Sequence, residues 1–101
     1  ASSFKKRRDF VVKSLNNIKG LSCLKPEGAF YVFPSCKNLL NKKTKLKTDT
    51  DFVQKLLEQA NVAVVQGSAF GLPGYFRISY ATSMENLKKA MERIKTFCEK
   101  L

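Results

Sequence analysis

The sequence predicts an α+β domain: a small, mainly antiparallel sheet covered by helices, in the order α-β-β-α-β-β-α. Three observations support this. Apolar residues recur at helical spacing in three stretches of the 101-residue chain, over residues 4–18, 52–60 and 84–101. Four short apolar or β-prone runs lie between them, at residues 21–24, 29–33, 62–65 and 75–81. These runs form two pairs with short connections, which suits antiparallel neighbours better than crossovers.

Each element has its own signals. Phe4, Val11, Leu15 and Ile18, with Val12 beside them, make the first helical stripe. Ser2 or Ser3 can cap its start, and Gly20 suits the left-handed position after its end. Leu21–Leu24 is a short strand, and Pro26-Glu27-Gly28 is turn chemistry. Ala29–Phe33 is an aromatic strand that Pro34 stops, and residues 35–48 form a polar, Lys-rich connection. Thr48-Asp49-Thr50-Asp51 supplies a cap and an acidic first turn to the helix of Phe52, Val53, Leu56, Leu57 and Ala60, which Asn61 ends. Val62–Val65 suits a buried strand, Gly67–Gly74 a loop, and Tyr75–Ala81 a strand. Thr82 and Glu85 read as a capping box for a helix with Met84, Leu87, Met91, Ile94, Cys98 and Leu101 on one face. No repeat or linker interrupts the chain, so residues 1–101 are expected to be one domain. A start almost directly on a helix suits a small protein or a piece of a larger one.

Composition removes several function classes. With no His in the chain, a histidine base, a Ser-His-Asp triad and a Cys/His zinc site are excluded. Cys23, Cys36 and Cys98 are widely spaced and odd in number, so free thiols in a reducing cytoplasm are expected. No apolar run approaches the roughly 18 residues of a membrane span, and the basic start lacks the apolar region of a secretory signal. No membrane partner is expected.

The net charge of +11 is uneven: residues 1–50 hold 12 basic and 3 acidic side chains, residues 51–101 hold 7 and 5. The excess lies in Lys5–Arg8 and in Lys37, Lys42, Lys43, Lys45 and Lys47. This half could contact nucleic-acid phosphates as a stand-alone basic module. It could equally be a solvated helix start and a Lys-rich surface loop. No aromatic residue lies between Lys37 and Lys47, so stacking platforms for single strands are missing there, and no nucleic-acid partner is expected.

Four features are chemical candidates. Gly28–Phe33 superficially suggests the aromatic strand of an RNA-recognition module, but Glu27 before the glycine and Ala29 after it break that pattern. Gly67–Gly74 is glycine-rich, but it has neither phosphate-loop spacing nor a following helix. The carboxylates lie at helix starts or on helix faces, with no pair set for acid–base work. Arg77 is the fourth. Alternation puts Phe76, Ile78 and Tyr80 on one face of their strand and Tyr75, Arg77, Ser79 and Ala81 on the other. Small residues at 79 and 81 leave room beside a guanidinium whose fork matches a carboxylate.

Several segments together resemble the C-terminal small domain of class I/II pyridoxal-phosphate-dependent aminotransferases, close to the prokaryotic aspartate aminotransferases. They are Arg7-Arg8-Asp9 with Phe10-Val11-Val12, Pro26–Pro34, Val62–Val65 leading into Gly67-Ser68-Ala69-Phe70-Gly71, and Phe76–Ala81, in family order across residues 4–101. The resemblance implies that Arg77 binds the substrate α-carboxylate and that Phe30 lines the substrate side of the pocket. Gln66 departs from the family, which usually has Pro before this glycine. The resemblance also implies a parent enzyme that moves an amino group between an aspartate- or glutamate-like amino acid and a 2-oxo acid. That parent would be a cytoplasmic homodimer using pyridoxal phosphate. The family's Schiff-base lysine and most of its cofactor grip belong to a large domain that these residues lack. The chain alone is therefore expected to hold no cofactor, contain no catalytic residue and be inactive.

Overall fold

The structure is a computed structural model that describes residues 2–26 and 30–101. Helix α1 spans Ser2–Asn16, strand β1 Tyr31–Val32, helix α2 Asp49–Ala60, strand β2 Val65–Gln66, strand β3 Phe76–Ser79 and helix α3 Met84–Glu99. Short 3-10 turns cover Lys37–Leu39 and Gly67–Phe70. The three strands form an antiparallel sheet in the order β1-β3-β2, so β3 is central. Tyr31 faces Ser79 and Val32 faces Ile78 on one side of it; Val65 faces Arg77 and Gln66 faces Phe76 on the other.

The predicted α+β class holds, with a smaller sheet. Leu21–Leu24 is not a strand. Only Ser22 pairs there, by a single bridge to Ser35. Asn16 explains this, because its side-chain amide donates to the Cys23 carbonyl and accepts from the Cys23 N–H, both at 2.8 Å. A helix side chain thus takes the backbone groups that a ladder would need. The strand expected at Val62–Val65 is shifted to Val65–Gln66. The turn expected at Glu27–Gly28 and the start of the strand at Ala29 lie outside the described residues.

The caps are partly as expected. Thr48 caps α2 in a full capping box with Asp51, and Asn61 ends it in the left-handed conformation. Gly20 is left-handed, with φ +94°, four residues beyond the end of α1. Ser2 and Ser3 lie inside α1 rather than before it. The cap of α3 is Ser83, not Thr82: its hydroxyl accepts from the Asn86 N–H at 3.1 Å. Thr82 instead accepts from the Asn86 side chain, and Glu85 pairs with Lys89 one turn on, at 3.8 Å.

One apolar cluster joins all three helices to one face of the sheet. Phe52 of α2 is its junction. Its ring stacks on Phe76 of β3 at 5.2 Å and meets Phe97 of α3 edge-on at 5.7 Å. Leu15, Leu56, Leu87 and Ile94 close around these rings without solvent exposure. The opposite face of the sheet carries Tyr31, Arg77 and Ser79, and among the described residues no α-helix is packed on it.

Candidate functional site

The central strand carries Arg77 to the uncovered face. Phe76 and Ile78 point into the core, so the period of two leaves Arg77 and Ser79 outward. Arg77 is half-buried, and two rings account for that. Its guanidinium carbon lies 4.3 Å from the Tyr31 ring centroid and 4.5 Å from that of Phe70. Tyr31 arrives from β1 and Phe70 from the turn after β2, the strands on either side of β3. Phe33 meets Phe70 edge-on at 6.1 Å and completes the aromatic wall.

No carboxylate among the described residues pairs with Arg77, and none of its guanidinium N–H groups has a hydrogen-bond acceptor there. The cation is thus seated but not neutralised. Rings beside a guanidinium reduce its contact with water and strengthen whatever its N–H groups then bind. Its planar fork takes a carboxylate through two parallel hydrogen bonds. Ser79 and Ala81, the small residues expected to leave room beside the guanidinium, are both exposed.

Phe30 sits differently. It is 53% exposed, and its ring packs at 5.2 Å on Phe4 of α1. Arg77 and Phe30 therefore rest on different neighbours, and the aromatic residue of β1 that touches Arg77 is Tyr31.

The glycine-rich loop is organised by a residue that sequence reasoning treated as a helix-start acid. Asp49, the first residue of α2, is 3% exposed. One carboxylate oxygen accepts from the Ser68 N–H at 2.9 Å, the other from the Gly74 N–H at 3.1 Å. Burial alone pushes this carboxyl up, but the N–H groups of Ser68 and Gly74 outweigh it and hold it below the usual carboxylate range. The Gly67 N–H donates to the Tyr75 carbonyl at 2.7 Å, and the Leu72 N–H to the Gly67 carbonyl at 2.8 Å. A Cβ on Gly67 would collide with the Leu72 carbonyl oxygen and lie 2.6 Å from that of Tyr75, so only glycine fits.

These bonds also decide what the loop cannot do. Its N–H groups at 67, 68, 71, 72 and 74 all donate within the protein, so they offer no cradle to a phosphate. The residues of this loop do not fit the phosphate of pyridoxal phosphate.

The basic clusters are surface features. Lys5 and Lys6 are exposed, Arg7 lies over the Phe4 ring at 5.0 Å, and Arg8 pairs with Asp9 at 3.2 Å. Lys37 lies over the Tyr75 ring at 4.8 Å. A cavity of about 740 Å³ lies among Asn17, Lys19, Lys43, Thr44, Lys95 and Leu101, but neither Arg77 nor its rings line it. Burial pushes the Cys23 thiol up to about 11, and those of Cys36 and Cys98 up to about 12. Among the described residues no His/Cys/Asp/Glu group could hold a metal ion, and no helix is long and apolar enough to cross a membrane.

Known proteins share both the sequence and this fold. Residues 1–94 match the family "Aminotransferase class I and II". The chain is 58% identical over 103 residues to an aspartate aminotransferase of Rhizobium meliloti (strain 1021), covering 98% of this chain and 25% of the relative. It is 58% identical over 99 residues to a probable aspartate/prephenate aminotransferase of Rhizobium leguminosarum bv. phaseoli, covering 94% of this chain and 25% of the relative. The crystal structure of the aspartate aminotransferase from Rhizobium meliloti superposes with a TM-score of 0.91 at 57% identity, covering 97% of this chain and 26% of that one. An alanine aminotransferase from Pyrococcus furiosus superposes with a TM-score of 0.90 at 38% identity, covering 99% and 25%. The chain therefore spans about a quarter of the length of these relatives. With the match covering residues 1–94 and the fold superposing throughout, the chain belongs to the class I and II aminotransferase family.

Proposed function

We propose that these residues form the C-terminal small domain of an aminotransferase, and that Arg77 holds the α-carboxylate of an amino acid while its amino group is exchanged with a 2-oxo acid. The observation that carries this reading is the Arg77 guanidinium, seated by Tyr31 and Phe70 and without an acidic partner among the described residues. A bidentate grip on the carboxylate removes its freedom to rotate and turns the α-amine towards the reacting centre. Tyr31, Phe33 and Phe70 reduce the contact of that grip with water. Phe30, exposed at the sheet end, is assigned the adjoining pocket wall. The names of the relatives support an acidic amino acid, aspartate or one like it, as the amino donor.

Pyridoxal phosphate, when bound in the longer enzyme, supplies the carrier for the amino group and the sink for the electrons released at the α-carbon. The loop geometry supports placing its phosphate grip in the missing three quarters of the protein. The family resemblance, with this chain spanning about a quarter of its relatives, supports assigning the reacting lysine there as well, leaving the 101-residue chain inactive alone, and reading the working enzyme as a cytoplasmic homodimer.

Arg77→Lys in the full-length enzyme tests the reading. Losing the fork while keeping the charge lowers kcat/KM by about 2–4 kcal/mol of transition-state stabilisation. Unchanged kcat/KM removes Arg77 from the site.

A further inference from the structure

We infer that Asp49 is a positioning residue: by clamping both ends of the Gly67–Gly74 loop, it sets Phe70 over the Arg77 guanidinium and so tunes how tightly the substrate carboxylate is held. This rests on the reading of Arg77 above and extends it to a residue on a different element.

The clamp is visible in the hydrogen bonds. Oδ2 of Asp49 takes the Ser68 N–H at 2.9 Å and Oδ1 takes the Gly74 N–H at 3.1 Å, so one carboxylate ties together two positions six residues apart. Phe70 hangs between them, with its ring 4.5 Å from the Arg77 guanidinium carbon. The far end of the loop is tied a second time, since the Gly74 carbonyl accepts from the Cys36 N–H at 2.9 Å. At the near end the Thr50 and Ser68 hydroxyls lie 3.5 Å apart. Gly74 itself is left-handed, with φ +88°, and needs such support to hold its turn.

The choice of a carboxylate is informative. Asp49 is buried and has no basic partner among the described residues, an arrangement that costs free energy unless its lone pairs are well used. The two loop N–H groups and the N-terminus of α2 are what offset that cost. An apolar side chain would pack there without the penalty but would leave two N–H groups unpaired and hold the loop only by its remaining backbone bonds, such as those of Gly67 to Tyr75 and Leu72 to Gly67. Phe70 is 45% exposed, and its ring meets Phe33 edge-on at 6.1 Å and the Arg77 guanidinium at 4.5 Å, which leaves nearly half of it in water. Its position over Arg77 therefore depends on the loop backbone.

The test uses the full-length enzyme with aspartate as amino donor. Asp49→Ala is made in the wild-type and in a Phe70→Ala background, with Arg77→Lys as reference. The expected result for Asp49→Ala is a KM for aspartate raised about tenfold with kcat changed less than about threefold. Amide hydrogen exchange across residues 67–75 should rise about a hundredfold. In the Phe70→Ala background the same substitution should change KM less than about twofold, because the ring it positions is gone. An equal KM penalty in both backgrounds overturns the inference, and so does an unchanged KM with the loop exchanging freely. If Asp49→Ala fails to fold, Asp49→Asn keeps one carbonyl acceptor and should raise KM about threefold with faster loop exchange; wild-type values for both overturn the clamp. Failure of the Arg77 reading is separate: Arg77→Lys would then leave kcat/KM unchanged, and protection of residues 67–75 alone would decide whether Asp49 clamps the loop.

Discussion

β3 puts alternate residues to opposite uses. Phe76 and Ile78 are closed beneath helices, with Phe76 stacked on Phe52 at 5.2 Å. Arg77, one residue away, faces no helix and rests on Tyr31 and Phe70, which are 39% and 45% exposed. The first face spends its residues on stability. The second keeps large rings partly in water around a cation that no acid among the described residues pairs with, which does little for folding and suits binding. The pleat of one strand is enough to separate the two tasks.

Substitutions can probe that separation. The largest effect belongs to the covered face: Phe52→Ala removes the ring joining β3 to α3 and should cost about 3–5 kcal/mol in urea unfolding. A cost below 1 kcal/mol would mean that the junction is not central. The buried thiols come next. Raising Cys36 and Cys98 from 9.0 to about 12 lowers their thiolate fraction at pH 8 about a thousandfold, so alkylation should be slow until the chain unfolds. Because the folded values are raised, this stability is fully present below pH 9 and is lost as pH rises towards about 12. Rapid native labelling would show an open core. On the uncovered face, Phe70→Leu gives up a partly exposed cation–π contact and should change stability by only about 0.5–1 kcal/mol, even if the proposed substrate site is weakened. A loss as large as that of Phe52→Ala would erase the distinction between the faces. The smallest effect is expected at Lys89, whose exposed pair with Glu85 should be worth about 0.3–0.5 kcal/mol to Lys89→Ala.

The fold was more legible than the site. The stripes of Phe52, Leu56 and of Leu87, Met91, Ile94 mark α2 and α3 because burial of one helix face leaves a local period. That Leu21–Leu24 is no strand could not be read from the sequence, because the competing bonds come from Asn16, seven residues before Cys23. Arg77 could be singled out by alternation within its own strand. Its ring Tyr31 could have been found by applying the same alternation to β1, where Tyr31 and Phe33 share a face opposite Val32. Nothing local marks Phe70 or Asp49. A carboxylate at the first position of a helix looks the same in sequence whether it meets solvent or a loop 19 and 25 residues away.

By itself, the sequence determined the fold class, the three helices, the outward face of Arg77 and, through the ordered segments around it, the family. The first three follow from periodicity and local backbone chemistry, which act over a few residues, and the family from the resemblance of those segments. Only the tertiary structure decided that Arg77 would be seated between Tyr31 and Phe70, that no described acid would neutralise it, and that Asp49 would be buried under the loop. Those outcomes depend on which surfaces meet when β1, β2 and α2 close around β3. Contact between distant residues leaves no period in the chain.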